Sequence, residues 1–179
     1  MRPLPPGSHL AGMEAPERTL REFLERLAGY KREGHNVPRR KGWRYLCNED
    51  LILREGVFAS KHAPVPRNLR GRVKMCFPNA SRAANGVSRI YCEGFAIAYE
   101  RVPLAVPHAW LLNPDGEVID PTWKDPGYAY LGIPFDRTFV SKTLLQQGTF
   151  GLLDELDRGP LLVGLPPSEY RHAGFPPPA

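Results

Sequence analysis

Three residues of this chain have the types and the order of a thiol-based acyl chemistry: Cys76, His108 and Asp120. A thiolate is a strong nucleophile for a carbonyl carbon. It needs a neighbouring base to take its proton, and that base needs a third group to fix its orientation. Cys76 lies in Lys74-Met75-Cys76-Phe77-Pro78, just ahead of a segment that reads as a short helix over 78–85. Pro78 suits its first position and Asn85-Gly86 its end. A helix N-terminus carries partial positive charge and unpaired N–H groups, and both favour a thiolate. A lone buried cysteine is otherwise just a small apolar residue.

His108 (Pro107-His108-Ala109-Trp110) and Asp120 (Ile119-Asp120-Pro121-Thr122-Trp123) gain meaning from the turn between them. Asn113-Pro114-Asp115-Gly116 suits a type I turn followed by a left-handed glycine bulge, a three-residue hairpin loop. That loop pairs Asn113 with Glu117, Leu112 with Val118, Leu111 with Ile119 and Trp110 with Asp120. His108 then shares a face with Asp120 as its diagonal neighbour, roughly 7–8 Å away along the backbone and within side-chain reach. A two-residue loop would send Asp120 to the other face.

These residues resemble a known pattern. His108-Ala109-Trp110, a hairpin tipped by Asp-Gly, and Ile119-Asp120-Pro121-Thr122-Trp123 are similar to the second half of the transglutaminase-like core, within the papain-like cysteine hydrolase and acyltransferase superfamily. The likeness covers about residues 74–135. It implies Cys76 as nucleophile, His108 as base and Asp120 as its orienting partner. It also implies a protein, peptide or small amide or acyl substrate, with no cofactor and no metal.

Other residues compete for roles. Cys92-Glu93-Gly94-Phe95 also looks like a nucleophile motif, but 15 residues between Cys92 and His108 barely hold a helix, a loop and a strand start. Tyr91–Ala98 has strand composition, with Cys92, Gly94, Ala96 and Ala98 on one face, where a helix could pack closely. Glu93 falls on the opposite face as a solvated charge, a partner for an arginine or a substrate contact. Asn79 and Asn48 are candidates for an oxyanion-binding side chain. Trp110 and Trp123 either flank a cleft or belong to the core. Cys47 reads as structural.

The elements that must position these groups suggest α+β. Leu20, Phe23, Leu24 and Leu27 recur at helical spacing between Glu14 and Lys31, and 46–58 holds a second short helix bounded by Gly56. Residues 59–73 read as extended loop. Strands follow at 89–99, 104–112 and 117–122, then a helix over 141–156. The expected layout is a helical N-terminal part and a nucleophile helix packed on a small antiparallel sheet. One domain over 14–158 is expected between a flexible lead-in at 1–13 and a Pro-rich tail at 159–179.

Composition bounds the rest. Of 179 residues, 42% are hydrophobic and 24% charged, with 20 Pro and 17 Gly, which argues against an all-helical bundle. There is no run of the ~18–20 apolar residues that a membrane helix needs. The N-terminus has no apolar signal region. Three cysteines without ligand spacing argue against a disulfide framework or structural zinc. A reduced, cytoplasmic protein is the expectation. The net charge of +5 is uneven: residues 31–74 hold 12 Lys and Arg against 4 Asp and Glu, densest around Arg39-Arg40-Lys41. This stretch reads as a solvated surface, with nucleic acid or an acidic partner as the alternative for a binding module on the same fold.

Overall fold

The computed structural model describes residues 14–34, 42–84, 88–98, 104–148, 150–153 and 160–176. The expected lead-in at 1–13, the Arg39-Arg40-Lys41 cluster and the Asn85-Gly86 stop lie outside them. The fold is α+β, with five antiparallel strands and helices against one face. In chain order the elements are α1 (Ala15–Glu33), α2 (Asn48–Glu55), β1 (Val57–Ala59), α3 (Cys76–Ala83), β2 (Ile90–Ile97), β3 (Ala105–Leu112), β4 (Val118–Ile119), β5 (Ala129–Pro134), α4 (Arg137–Gln147) and α5 (Pro167–Tyr170). Short 3-10 turns lie at Arg67–Leu69 and Pro160–Val163. The strand order is β1-β5-β2-β3-β4.

Helix α1 follows its pattern: Leu20, Leu24 and Ala28 form a buried stripe at i, i+4, i+8. Gly34 ends it, its N–H donating to Tyr30 O at 2.8 Å. Helix α2 stops at Gly56, where a Cβ would come within 2.5 Å of Ile52 O.

The hairpin keeps the register its turn dictates. Leu112 pairs with Val118 and Leu111 with Ile119, Asn113 N–H donates to Glu117 O at 3.0 Å, and Gly116 is left-handed at φ 80°. The ladder stops at Ile119, so β4 has two residues where a strand over 117–122 is expected. Asp120-Pro121 turns the chain away, and Pro121 has no N–H with which to continue a ladder.

The sheet separates two apolar clusters. Tyr91, Phe95, Ala109, Leu111, Leu131 and Ile133 face the helices and join Leu20, Leu24, Leu51 and Ala80. Cys92, Ala96, Trp110, Leu112 and Tyr130 form the smaller cluster on the other face. That placement corrects one expectation. The small residues of β2 meet Trp110 and Tyr130, not a helix, and Gly94 lies so close to β5 that a Cβ would sit 2.1 Å from Leu131 O.

The helix expected over 46–58 is shorter, Asn48–Glu55, because Gly56 ends it and Val57–Ala59 pairs with β5 as a strand. Three more expectations change. Strand β5 occupies a segment where period-two reasoning finds none: it is buried on both faces, which removes the alternation. Helix α4 begins at Arg137 and not Ser141, because Asp136 caps it by accepting from Thr138 and Phe139 N–H. Residues 160–176 do not trail over the surface: Leu161, Leu162 and Tyr170 belong to the main core. Arg171 pins this segment by donating to Glu55 O.

Candidate active site

Helix α3 opens at Cys76, two residues before the expected start, so Pro78 is its third residue. Cys76 is partly buried, and Lys74, two residues earlier, is the one non-glycine with positive φ (62°) among the described residues. Left-handed backbone costs a lysine roughly 1 kcal/mol, which the surrounding structure must overcome. It lies in the turn at Val73-Lys74 that leads the chain into the helix.

The helix lies on the face of Ala109 and Tyr91, whereas His108 shares its face with Trp110 by strand alternation. Nucleophile and base thus approach from opposite sides of the sheet and meet at the edge of β3 beyond the end of β4. Alternate residues of β3 turn their N–H groups toward β4, as Asn113 does; by parity Ala109 does too, but β4 has ended there. The Ala109 N–H is left without a strand partner there, and with the Phe77 N–H of the helix start it acts on the Cys76 thiol to favour the thiolate. Pro107, the next residue of that parity, has no N–H to leave unpaired.

His108 is the third group that acts on Cys76: the imidazole lowers the thiol and the thiol raises the imidazole. Its Nε2 lies 2.7 Å from Asp120 Oδ2, leaving Nδ1 for the thiol. Trp123 stacks on the imidazole with ring centroids 3.9 Å apart and planes at 15°. Asp120 is fixed in turn: Oδ1 accepts the N–H groups of Thr122 (2.8 Å) and Trp123 (3.0 Å), and Oδ2 also accepts the Tyr130 hydroxyl at 3.0 Å.

The electrostatics follow from this geometry. Burial pushes the Cys76 thiol up, but the hydrogen bond and charge of His108, with the Ala109 and Phe77 N–H groups, outweigh it and bring the pKa below that of an ordinary cysteine. Burial opposes the imidazolium of His108, yet Asp120 and Cys76 raise its pKa on balance. Asp120 is buried too, and its bonds to His108, Trp123 and Thr122 hold it below the usual carboxylate range. All three shifts favour a thiolate–imidazolium pair beside an ionised aspartate. The other cysteines move the opposite way. Burial raises Cys47 to about 12, and it raises the fully buried Cys92 well above its ordinary value.

The remaining candidates take other roles. Asn79 Nδ2 donates to Arg72 O (2.7 Å) and Thr122 Oγ1 (2.9 Å), bracing α3 against the turn that carries Asp120. Its amide N–H groups are therefore committed within the protein. Gly71 makes room for the brace, since a Cβ there would sit 2.1 Å from Asn79 Cγ. Gly71→Ala is therefore expected to slow alkylation of Cys76 severalfold while the far-ultraviolet circular dichroism stays native; an unchanged rate would show the brace to be irrelevant. Trp110 is 1% exposed and belongs to the core, whereas Trp123 is partly buried and packs on the imidazole. Asn48 opens α2, which packs on α1 and β5. Glu93 is not solvated, and among the described residues it pairs with no arginine. It is fully buried and accepts the N–H groups of Leu152 and Leu153 (2.7–2.9 Å) and the Tyr91 hydroxyl.

Sequence reasoning misses Tyr130 and the Ala109 N–H. The tyrosine belongs to the strand that lacks a period-two signal, and a backbone donor has no side-chain signature at all. Among the described residues no group of three or more His, Cys, Asp or Glu could hold a metal ion, and no helix is long and apolar enough to cross a membrane. Compared with family models, curated proteins and solved structures, the chain matches none.

Proposed function

We propose that the chain is a cysteine-dependent hydrolase or acyltransferase of transglutaminase-like type, acting on an amide or acyl bond. The observation that supports this best is the buried His108–Asp120 pair, 2.7 Å apart, whose imidazole lowers the thiol of Cys76 at the start of helix α3. Cys76 thiolate attacks the carbonyl carbon and forms the C–S bond. As the tetrahedral intermediate collapses, the leaving nitrogen or oxygen takes the imidazolium proton of His108. Water or an amine then attacks the thioester, His108 takes its proton, and the C–S bond breaks to restore the thiolate. Asp120 keeps Nε2 engaged and Nδ1 aimed at the sulfur throughout.

The test is acyl-enzyme formation with 4-nitrophenyl acetate at neutral pH. One equivalent of nitrophenolate should appear in a burst, with a single acetyl group on Cys76 by mass spectrometry and none on Cys76→Ala. No burst and no adduct would overturn the reading and favour a non-enzymatic binding module that uses the basic 31–74 segment.

A further inference from the structure

The chain that runs up to the nucleophile is cationic without interruption. Residues 61–75 contain Lys61, Arg67, Arg70, Arg72 and Lys74, with no aspartate or glutamate. All five are exposed, and among the described residues none pairs with a carboxylate. A solvated surface needs no such bias, because mixed charge keeps a protein soluble equally well.

The strip is tied to the site at several points. Arg70 Nη1 donates to Trp123 O at 2.9 Å, on the residue that stacks against His108. Gly71 N–H donates to Pro121 O at 2.8 Å, and Arg72 O accepts from Asn79 of the nucleophile helix. Arg72 and Lys74 precede Cys76 by four and two residues, so their Cα atoms lie within about 15 Å and 8 Å of its own. Val73 and Met75, 76% and 42% exposed, alternate with them.

We infer that the site takes acyl substrates carrying a negative charge, a carboxylate or a phosphate, near the carbonyl under attack, and that the Lys61–Lys74 strip draws them to Cys76. This rests on the reading of Cys76 as nucleophile. Cationic rims raise the local concentration of anions and speed their encounter, by tenfold or more where field lines focus. The Debye length is ~10 Å at 0.1 M salt, so the effect is present at low ionic strength and largely gone by ~0.5 M.

Two alkylating reagents that differ in charge separate the claims. Iodoacetamide is neutral and reports the thiol; the ratio of iodoacetate to iodoacetamide rates reports the rim. At pH 6.5 and low salt the ratio for Cys76 should fall about three- to tenfold in Arg67→Gln/Arg72→Gln/Lys74→Gln. In the unmodified protein it should fall to a similar degree on raising salt to ~0.5 M. The salt series needs no variant, so it decides even if the triple variant misfolds. A ratio indifferent to both overturns the substrate class and leaves the nucleophile standing. An iodoacetamide rate no faster than that of a free thiol overturns the nucleophile itself. Protection of Cys76 by glutarate or by inorganic phosphate then assigns which anion the rim prefers.

Discussion

At pH 6.5, iodoacetamide is expected to modify Cys76 while Cys47 and Cys92 stay untouched. The thiolate is the reacting species, so rates follow its population. Cys76 is depressed below the ordinary thiol range, Cys47 is raised to about 12 and Cys92 is raised well above its ordinary value by complete burial. Each unit of pKa above the working pH removes about tenfold of the thiolate, so the selectivity should exceed a thousandfold over Cys47. His108→Ala removes the hydrogen bond and the charge that lower the thiol. The pH–rate profile should move up toward that of a free cysteine, and the rate at pH 6.5 should fall on the order of tenfold to a hundredfold. Asp120→Asn leaves an imidazole in place but unsettles its orientation, so its effect should be smaller. Because thiol and imidazole titrate together, the profile yields apparent values for the pair. Labelling of Cys92 first, or a Cys76 rate indifferent to His108, would sink the mechanism even with the fold intact.

Glu93 carries the second large effect, on stability. Its carboxylate is the acceptor for the Leu152 and Leu153 N–H groups, and Leu152 enters the main core beside it. Glu93→Ala would leave these donors unpaired in a void. A loss on the order of 3–5 kcal/mol is expected, read as a lower urea midpoint. The pH dependence is more diagnostic. Burial raises Glu93 to about 7 despite the bonds from Tyr91, Leu153 and Leu152, against an ordinary value of 4.5. Between these values the unfolded chain has released the proton that the folded protein retains. Stability from this group is therefore full below about 4.5 and lost as pH rises toward 7. Asp120 works in the opposite sense, its contribution lost as pH falls through its depressed value. Melting temperatures of Glu93→Gln and the unmodified protein should thus converge as pH rises from 5 to 7, or cross. The relative change should be on the order of 2–3 kcal/mol. Parallel curves across that range would rule out Glu93 as the titrating group.

What could be read from the residues, and what could not, divides along physical lines. The Asn-Pro-Asp-Gly turn sets a register, and a register decides which face Asp120 joins; local chemistry therefore placed His108 against Asp120 in advance. The face of Glu93 was legible from strand alternation, but the backbone N–H groups it accepts were not, because they come from a loop some sixty residues away. Strand β5 hid because a strand covered on both sides loses its alternation, and its glycine and proline read as breaks. The C-terminal prolines suggested a loose tail, yet proline restricts the chain without keeping it off the core, and Tyr170 is fully buried. Shortening of β4 followed from Pro121, a residue visible in the sequence, but its result, a free N–H at Ala109, belongs to the backbone of a different strand.

The meeting of the site's two halves at a sheet edge has an evolutionary consequence. The imidazole, the carboxylate and their aromatic neighbours are organised from one face by Trp123, Tyr130 and the 120–123 turn, while the helix contributes the sulfur from the other. On the catalytic reading, a single substitution at position 76 would silence turnover and leave the histidine, the cationic rim and the fold in place. A lineage carrying such a change would inherit a receptor for the former substrate. Gene duplication could therefore yield a catalyst and a sensor of the same ligand that differ at one codon.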